Sequence, residues 1–197
     1  MNTANKLTML RVALIPVYLV LWYLDFPGNN YAALAVFVIA SLTDLLDGYI
    51  ARHYNQITDF GKFMDPLADK VLVLAAMACF CAAGRFPDWA LVIVLAREFA
   101  VSGLRLVAVD NGRVIAAGWS GKVKTASTMV CLCLMHLAAP ILSGLPNYLD
   151  WACVIIIAAT TLYSGIEYFV LNRDVLNWNK SEQVRPARSA GRTFIPS

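Results

Sequence analysis

Apolar residues in this chain gather into long uninterrupted runs and do not alternate with polar ones. Six runs stand out: Leu7–Leu24, Tyr31–Arg52, Met64–Gly84, Pro87–Val109, Val123–Leu142 and Leu149–Leu171. Each is close to the ~20 residues a helix needs to cross a bilayer. Between them lie Asp25–Asn30, Gly84–Asp88, Asp110–Gly112 and Ser143–Asn147, stretches rich in Gly, Pro, Asn and Asp that carry turn chemistry. Backbone polar groups in hydrocarbon need internal partners, so long helices joined by short turns are the expected solution. The pattern predicts an all-α, polytopic integral membrane protein with six transmembrane helices.

Composition sharpens this. Of 197 residues, 59% are hydrophobic and 15% charged, whereas a soluble domain carries about 25% charged residues. No repeat or low-complexity segment divides the chain, so one membrane domain is expected over residues 1–176, followed by a polar, basic tail over 177–197. The first run is too long for a cleaved leader and has no small-residue cleavage site, so it is expected to stay as a helix. Before it, Asn5–Arg11 is expected to lie along the membrane interface, with Asn5 or Thr8 available as a helix cap and Pro16 as a source of a kink. From Asn177 the tail reads as poorly ordered or surface-associated, with Arg185, Arg188 and Arg192 within reach of anionic headgroups.

The net charge is only +3, but its distribution is one-sided. Fifteen of the sixteen Lys and Arg residues fall on or toward one side of the six-span arrangement, and Arg85 alone belongs to the other. By the positive-inside rule both termini are cytoplasmic. The five cysteines, Cys79, Cys81, Cys131, Cys133 and Cys153, all lie in apolar runs. Their odd number and C-x-C spacing argue against disulfides and zinc, and for small packing residues. No nucleic-acid partner is expected.

Against this background one stretch is out of place. Residues 43–69 read TDLLDGYIARHYNQITDFGKFMDPLAD and put Asp44, Asp47, Asp65 and Asp69 inside or at the ends of apolar segments. Each carboxylate at membrane depth costs on the order of 2.5–3.5 kcal/mol. At about 100° per residue, Asp44, Asp47, Gly48 and Ala51 share one face of the second helix, while Asp65 and Asp69 share one face of the third. The link around Asn55–Thr58 is short, so the two helices are expected to be antiparallel neighbours with their carboxylates facing. Such a group of like charges calls for cations, and an all-oxygen aspartate set suits Mg²⁺, Mn²⁺ or Ca²⁺. Gly48, Ala51 and Gly61 leave room for a ligand close to the backbone. Taken singly, these residues have plainer uses: Asp47-Gly48 as a turn, Thr58 or Asp59 as a cap, Asp44 paired with Arg52.

The full pattern, D-x-x-D-G-x-x-A-R-x8-G-x3-D-x3-D, resembles the signature of the CDP-alcohol phosphatidyltransferase family, with all eight signature residues present: Asp44, Asp47, Gly48, Ala51, Arg52, Gly61, Asp65 and Asp69. The resemblance implies a homodimeric membrane enzyme that displaces CMP from a CDP-linked lipid. It implies that Asp44, Asp47, Asp65 and Asp69 hold two divalent ions, Mg²⁺ or Mn²⁺, on the diphosphate, with Asp69 also the general base. It further implies donor contacts from Thr43, Asp47, Gly48, Ala51, Arg52 and Gly61.

A second cluster bears on the acceptor. Arg97 and Arg105 lie about 80° apart around the fourth helix, and Lys122 and Lys124 open the fifth on the same side. Together they can form a cationic pocket for a phosphate-bearing alcohol, which serine, choline or ethanolamine would not need. The plainer reading is flanking positive charge with Arg97–Glu98 or Arg105–Asp110 surface pairs. The stretch R-E-F-x-V-S-G-L-R, with G-K-V-K-T downstream and N-K-L-T-M-L-R at the start, is similar to the bacterial branch of the family that makes phosphatidylglycerophosphate. That implies CDP-diacylglycerol as donor, glycerol 3-phosphate as acceptor, and Arg97, Arg105, Lys122 and Lys124 as binders of the acceptor phosphate. It also implies a multi-pass protein of the bacterial cytoplasmic membrane with its active site on the cytoplasmic side. The alternatives are a cardiolipin or phosphatidylinositol-phosphate synthase of the same family, or a cation transporter built on the aspartates. His53 is expected to be exposed or near the nucleotide, and His136 to be a packed helix–helix contact. Glu167 is an oddity that either pairs with a base or serves the site.

Overall fold

The computed structural model describes residues 3–53, 59–110, 115, 118–141 and 148–173. For residues 3–8, 44–53, 59–67, 69, 110 and 139–141 it describes the helix they belong to and not the side chain. Six helices account for nearly all of it: α1 Thr3–Tyr23, α2 Asn29–His53, α3 Asp59–Ala82, α4 Asp88–Asp110, α5 Trp119–Ile141 and α6 Tyr148–Leu171. Among the described residues there is no strand. Each apolar run has become one helix. α1 packs on α2 and α3, α5 packs on α6 and α2, and α4 is held between α6 and α3.

The ends of the helices follow from local chemistry. α3 stops in a Schellman motif: Gly84, at φ +69°, donates its N–H to the Cys81 carbonyl at 2.9 Å, and Arg85 N–H reaches back to the Phe80 carbonyl at 2.9 Å. Pro87 then bars continuation, and Asp88 opens α4 with a carboxylate in the first turn, where it suits the helix dipole. This turn also aims Arg85. Its guanidinium makes two bonds to the Asp150 carboxylate (2.7 and 2.8 Å), a third to the Met135 carbonyl (2.7 Å), and lies 5.1 Å from the Phe80 ring centre. The single cation expected at that end is therefore a tie between α3, α5 and α6.

α1 departs from expectation. It runs without a break from Thr3, through Pro16, to Tyr23, so Asn5–Arg11 belongs to the same helix as the apolar run that follows. Asn5 and Thr8 lie inside it and cannot be its cap. α1 packs against α2 and α3, and Arg11 within it is fully buried.

The main core contains Tyr18, Phe37, Met77, Phe80, Leu132 and Ile157. His136 sits at its centre: Tyr18 Oη donates to His136 Nε2 (3.0 Å), His136 Nδ1 bonds to the Leu132 carbonyl (2.7 Å), and the rings of Trp22, Phe37 and Phe80 surround it. It is the packed helix–helix contact expected. All five cysteines are free thiols, three of them fully packed.

Many large apolar side chains lie on the outside of the described bundle. On α6, Thr161, Ser164 and Tyr168 are buried, while Ile155, Tyr163, Ile166 and Val170 on the opposite side are exposed. Among the described residues α6 is the helix long and apolar enough to cross a membrane, with 24 residues and mean hydropathy 1.8; Met9–Tyr23, Asn29–Thr43 and Lys70–Ala82 are shorter apolar stretches.

Candidate active site

The acidic motif occupies the C-terminal part of α2 and the N-terminal part of α3. Five residues join these helices, so their linked ends are at most ~20 Å apart. Measured along each helix from that connection at 1.5 Å per residue, Asp47 and Asp65 both lie about 9 Å in, and Asp44 and Asp69 about 14–15 Å in. Counted along the helices, the four aspartates thus stand at two matched distances from the connection. The side chains of Asp44, Asp47, Gly48, Ala51, Arg52, Gly61, Asp65 and Asp69 lie outside the described residues. So do His53 and the side chain of Asp110. Among the described residues no three His, Cys, Asp or Glu side chains gather to hold a metal. Thr43 is described: it is buried and its hydroxyl donates to the Ala40 carbonyl at 2.7 Å, within its own helix.

One turn beyond this acidic layer a cavity of about 780 Å³ opens. Ser41 and Leu42 of α2 and Lys70, Val73 and Leu74 of α3 form the wall nearest the aspartates. Arg97, Arg105, Lys122 and Lys124, the four cations expected to bind an acceptor phosphate, all line this same cavity. Lys122 is exposed and Lys124 buried, though only two residues separate them, because successive positions on a helix turn by about 100°.

Lys70 and Glu98 complete the polar wall and were not expected there. Glu98 is the one acidic side chain among the described residues lining the cavity. Its Oε1 accepts from Lys124 Nζ at 2.7 Å and from Arg97 Nη1 at 2.9 Å, and its Oε2 lies 3.7 Å from Lys70 Nζ. Lys70 also bonds to Ser102 Oγ. The Arg97–Glu98 pair anticipated as a surface contact is thus partly buried, with both side chains 13% exposed. Five cations and one carboxylate leave the cavity strongly positive, a setting that favours a multiply charged anion.

α6 braces two of the lining cations from behind. Arg97 Nη2 donates to Ser164 Oγ at 2.6 Å, and Arg105 Nε donates to Tyr168 Oη at 3.1 Å while its guanidinium lies 5.6 Å from the Tyr168 ring centre. Glu167, on the same helix, has Oε2 buried without a hydrogen-bond partner among the described residues. The missed signal is a stripe. Thr160, Thr161, Ser164, Glu167 and Tyr168 follow i, i+1, i+4, i+7, i+8 spacing, one face of an otherwise apolar helix. Polar residues with helical period in such a segment point at a partner or a cavity.

Comparison with known proteins places the sequence beside named relatives. Residues 1–163 match the family model described as CDP-alcohol phosphatidyltransferase. A Bacillus subtilis protein named CDP-diacylglycerol–glycerol-3-phosphate 3-phosphatidyltransferase is 39% identical over 189 residues, covering 89% of this chain and 97% of the relative. The Escherichia coli K12 protein of the same name is 36% identical over 177 residues, covering 85% and 92%. A probable phosphatidylglycerophosphate synthase of Mycobacterium tuberculosis H37Rv is 38% identical over 175 residues, covering 85% and 79%.

Proposed function

The chain belongs to the CDP-alcohol phosphatidyltransferase family, and from that membership we propose its reaction. It transfers the phosphatidyl group of CDP-diacylglycerol to glycerol 3-phosphate, giving phosphatidylglycerophosphate and CMP. The observation that carries this is the convergence of Arg97, Arg105, Lys122 and Lys124 on one cavity beside the helices that bear the aspartate motif. A phosphate-bearing alcohol needs such a wall, and its free hydroxyl end can then extend toward α2 and α3.

In the reaction, a hydroxyl oxygen of glycerol 3-phosphate bonds to the phosphorus that carries diacylglycerol. The bond from that phosphorus to the bridging oxygen breaks, and CMP departs with the electron pair. Asp69 takes the hydroxyl proton as general base. Arg97 and Arg105, with Lys122 and Lys124, hold the acceptor phosphate and orient the alcohol. Thr43, Asp47, Gly48, Ala51, Arg52 and Gly61 receive the donor nucleotide. The donor set fits hard divalent cations: four oxygen ligands on two helices at two matched levels. Asp44, Asp47, Asp65 and Asp69 would hold two such ions, Mg²⁺ or Mn²⁺, which when bound neutralise charge on the diphosphate.

The setting we propose is a bacterial cytoplasmic membrane, crossed six times, with both termini and the site on the cytoplasmic side. The apolar outer face of α6 and the one-sided distribution of Lys and Arg support it. Lipid donor and soluble acceptor then meet at the cytoplasmic surface. The homodimer rests on the family resemblance alone.

The test is CMP release by the purified protein in detergent, with CDP-diacylglycerol and Mg²⁺ or Mn²⁺, with and without glycerol 3-phosphate. Release that needs both metal and glycerol 3-phosphate supports reaction and acceptor together. Release with inositol phosphate, phosphatidylglycerol or serine in its place overturns the acceptor. No release with any acceptor returns the aspartates to an ion-transport role.

A further inference from the structure

We propose that Glu98 is the positioning residue of the acceptor pocket: it sets the geometry of the phosphate-binding cations instead of merely offsetting their charge. The proposal rests on the acceptor reading above and deepens it. Three helices each send a cation to this one carboxylate, Lys70 from α3, Arg97 from α4 and Lys124 from α5. Lys124 is 7% exposed at the side chain, and Glu98 is the one anion within ion-pair reach of it among the described residues. A buried ammonium deprived of such a counter-ion withdraws, so among the described residues Lys124 depends on Glu98 for its place. Arg97 is fixed twice, by Glu98 on Nη1 and by Ser164 on Nη2, and the fork can present its remaining N–H groups in only one plane.

Two accounts of Glu98 predict opposite signs. If it were only a counter-charge, removing it would make the pocket more positive and bind a phosphate more tightly. If it positions the cations, removing it scatters them and weakens binding. A carboxylate kept inside an anion pocket against its electrostatic interest is explained by the second account.

The experiment measures KM for glycerol 3-phosphate, KM for CDP-diacylglycerol and thermal unfolding, all in detergent, for wild type, Glu98→Gln, Lys124→Ala and the double variant. Hydrogen bonds to charged groups imply a rise in the glycerol 3-phosphate KM of about tenfold to a hundredfold in Glu98→Gln. The donor KM is expected to stay near wild type, and Glu98→Gln is expected to add little to Lys124→Ala, since both act on one ammonium. A glycerol 3-phosphate KM that falls or stays level overturns the proposal, as does full additivity with Lys124→Ala. Should Glu98→Gln fail to fold, Glu98→Asp keeps the charge but withdraws it by one methylene. A raised acceptor KM in that variant supports positioning, and an unchanged one overturns it. Wild-type protein that releases no CMP in response to glycerol 3-phosphate would refute the underlying function instead, so the two failures are told apart.

Discussion

A Cβ added to Gly165 would lie 3.2 Å from Cγ of Arg97. The guanidinium beyond that Cγ is already tied at both ends, to Glu98 and Ser164, so the side chain cannot retreat without giving up a bond. On the other side Gly121 approaches the same guanidinium, where an added Cβ would come within 3.7 Å of Nη2. The closest approach of α6 to α4 is thus made possible by a missing side chain. Overpacking of this kind costs about 1–3 kcal/mol. Gly165→Ala is expected to raise the KM for glycerol 3-phosphate several-fold through displacement of Arg97, with a smaller change in the KM for the donor. Steady-state kinetics on the purified variant check this.

Lys122 and Lys124 differ in exposure, and their variants should differ in character. Lys122 reaches the cavity from solvent, so its attraction is screened over about 8 Å at physiological ionic strength. Lys122→Ala is expected to weaken acceptor binding a few-fold at low salt and hardly at all at high salt. Lys124→Ala, by contrast, leaves the partly buried Glu98 with one fewer partner and should be damaging at any ionic strength. A salt series of acceptor KM values for both variants separates the two.

At the opposite end of the bundle, Arg85 and Asp150 are 18% and 8% exposed at the side chain. Removing one partner of such a pair costs about 3–5 kcal/mol, because the other charge is left uncompensated. Asp150→Ala should lower the midpoint of thermal unfolding in detergent markedly. Its KM for glycerol 3-phosphate should match wild type in whatever fraction stays folded, since no cavity residue touches the pair.

The two levels of aspartates predict a divided response. Chelation should abolish turnover, and Mg²⁺ or Mn²⁺ should restore it. Asp69→Asn should remove nearly all turnover while largely sparing donor binding, measured by retention of CDP-diacylglycerol on the protein. Normal turnover in that variant would sink the assignment of Asp69 as base.

Much of this was legible in the residues. Runs of apolar sequence bounded by Gly, Pro and Asn locate all six helices to within a few residues at most ends, because helix length and turn chemistry are local properties. The start of α3 is the exception: Asp59–Phe63 belongs to the helix although it is too polar to join an apolar run. The gathering of Arg97, Arg105, Lys122 and Lys124 was also readable, since they are unusual charges at matching depth, and they line one cavity. Glu98 was not, since an acid next to Arg97 in sequence looks like a local surface pair until α3 and α5 bring Lys70 and Lys124 to it. Ser164 and Tyr168 were hidden for the same reason: their partners lie more than sixty residues away, and only the polar stripe on α6 hints that they have any.

The apolar outer face of α6 carries a thermodynamic consequence. In water, folding is driven by withdrawing surface from solvent, and the large heat-capacity increment of unfolding records it. A helix whose outward side chains are Ile155, Tyr163, Ile166 and Val170 gains nothing of that kind when its surroundings are acyl chains. What distinguishes the assembled bundle from separated helices is then close packing and the polar ties that cross between them, among them Arg85 to Asp150, Tyr18 to His136 and Arg97 to Ser164. Residues that shape the cationic cavity are among those ties, so in this protein part of the cohesion of the scaffold is invested in the cavity itself.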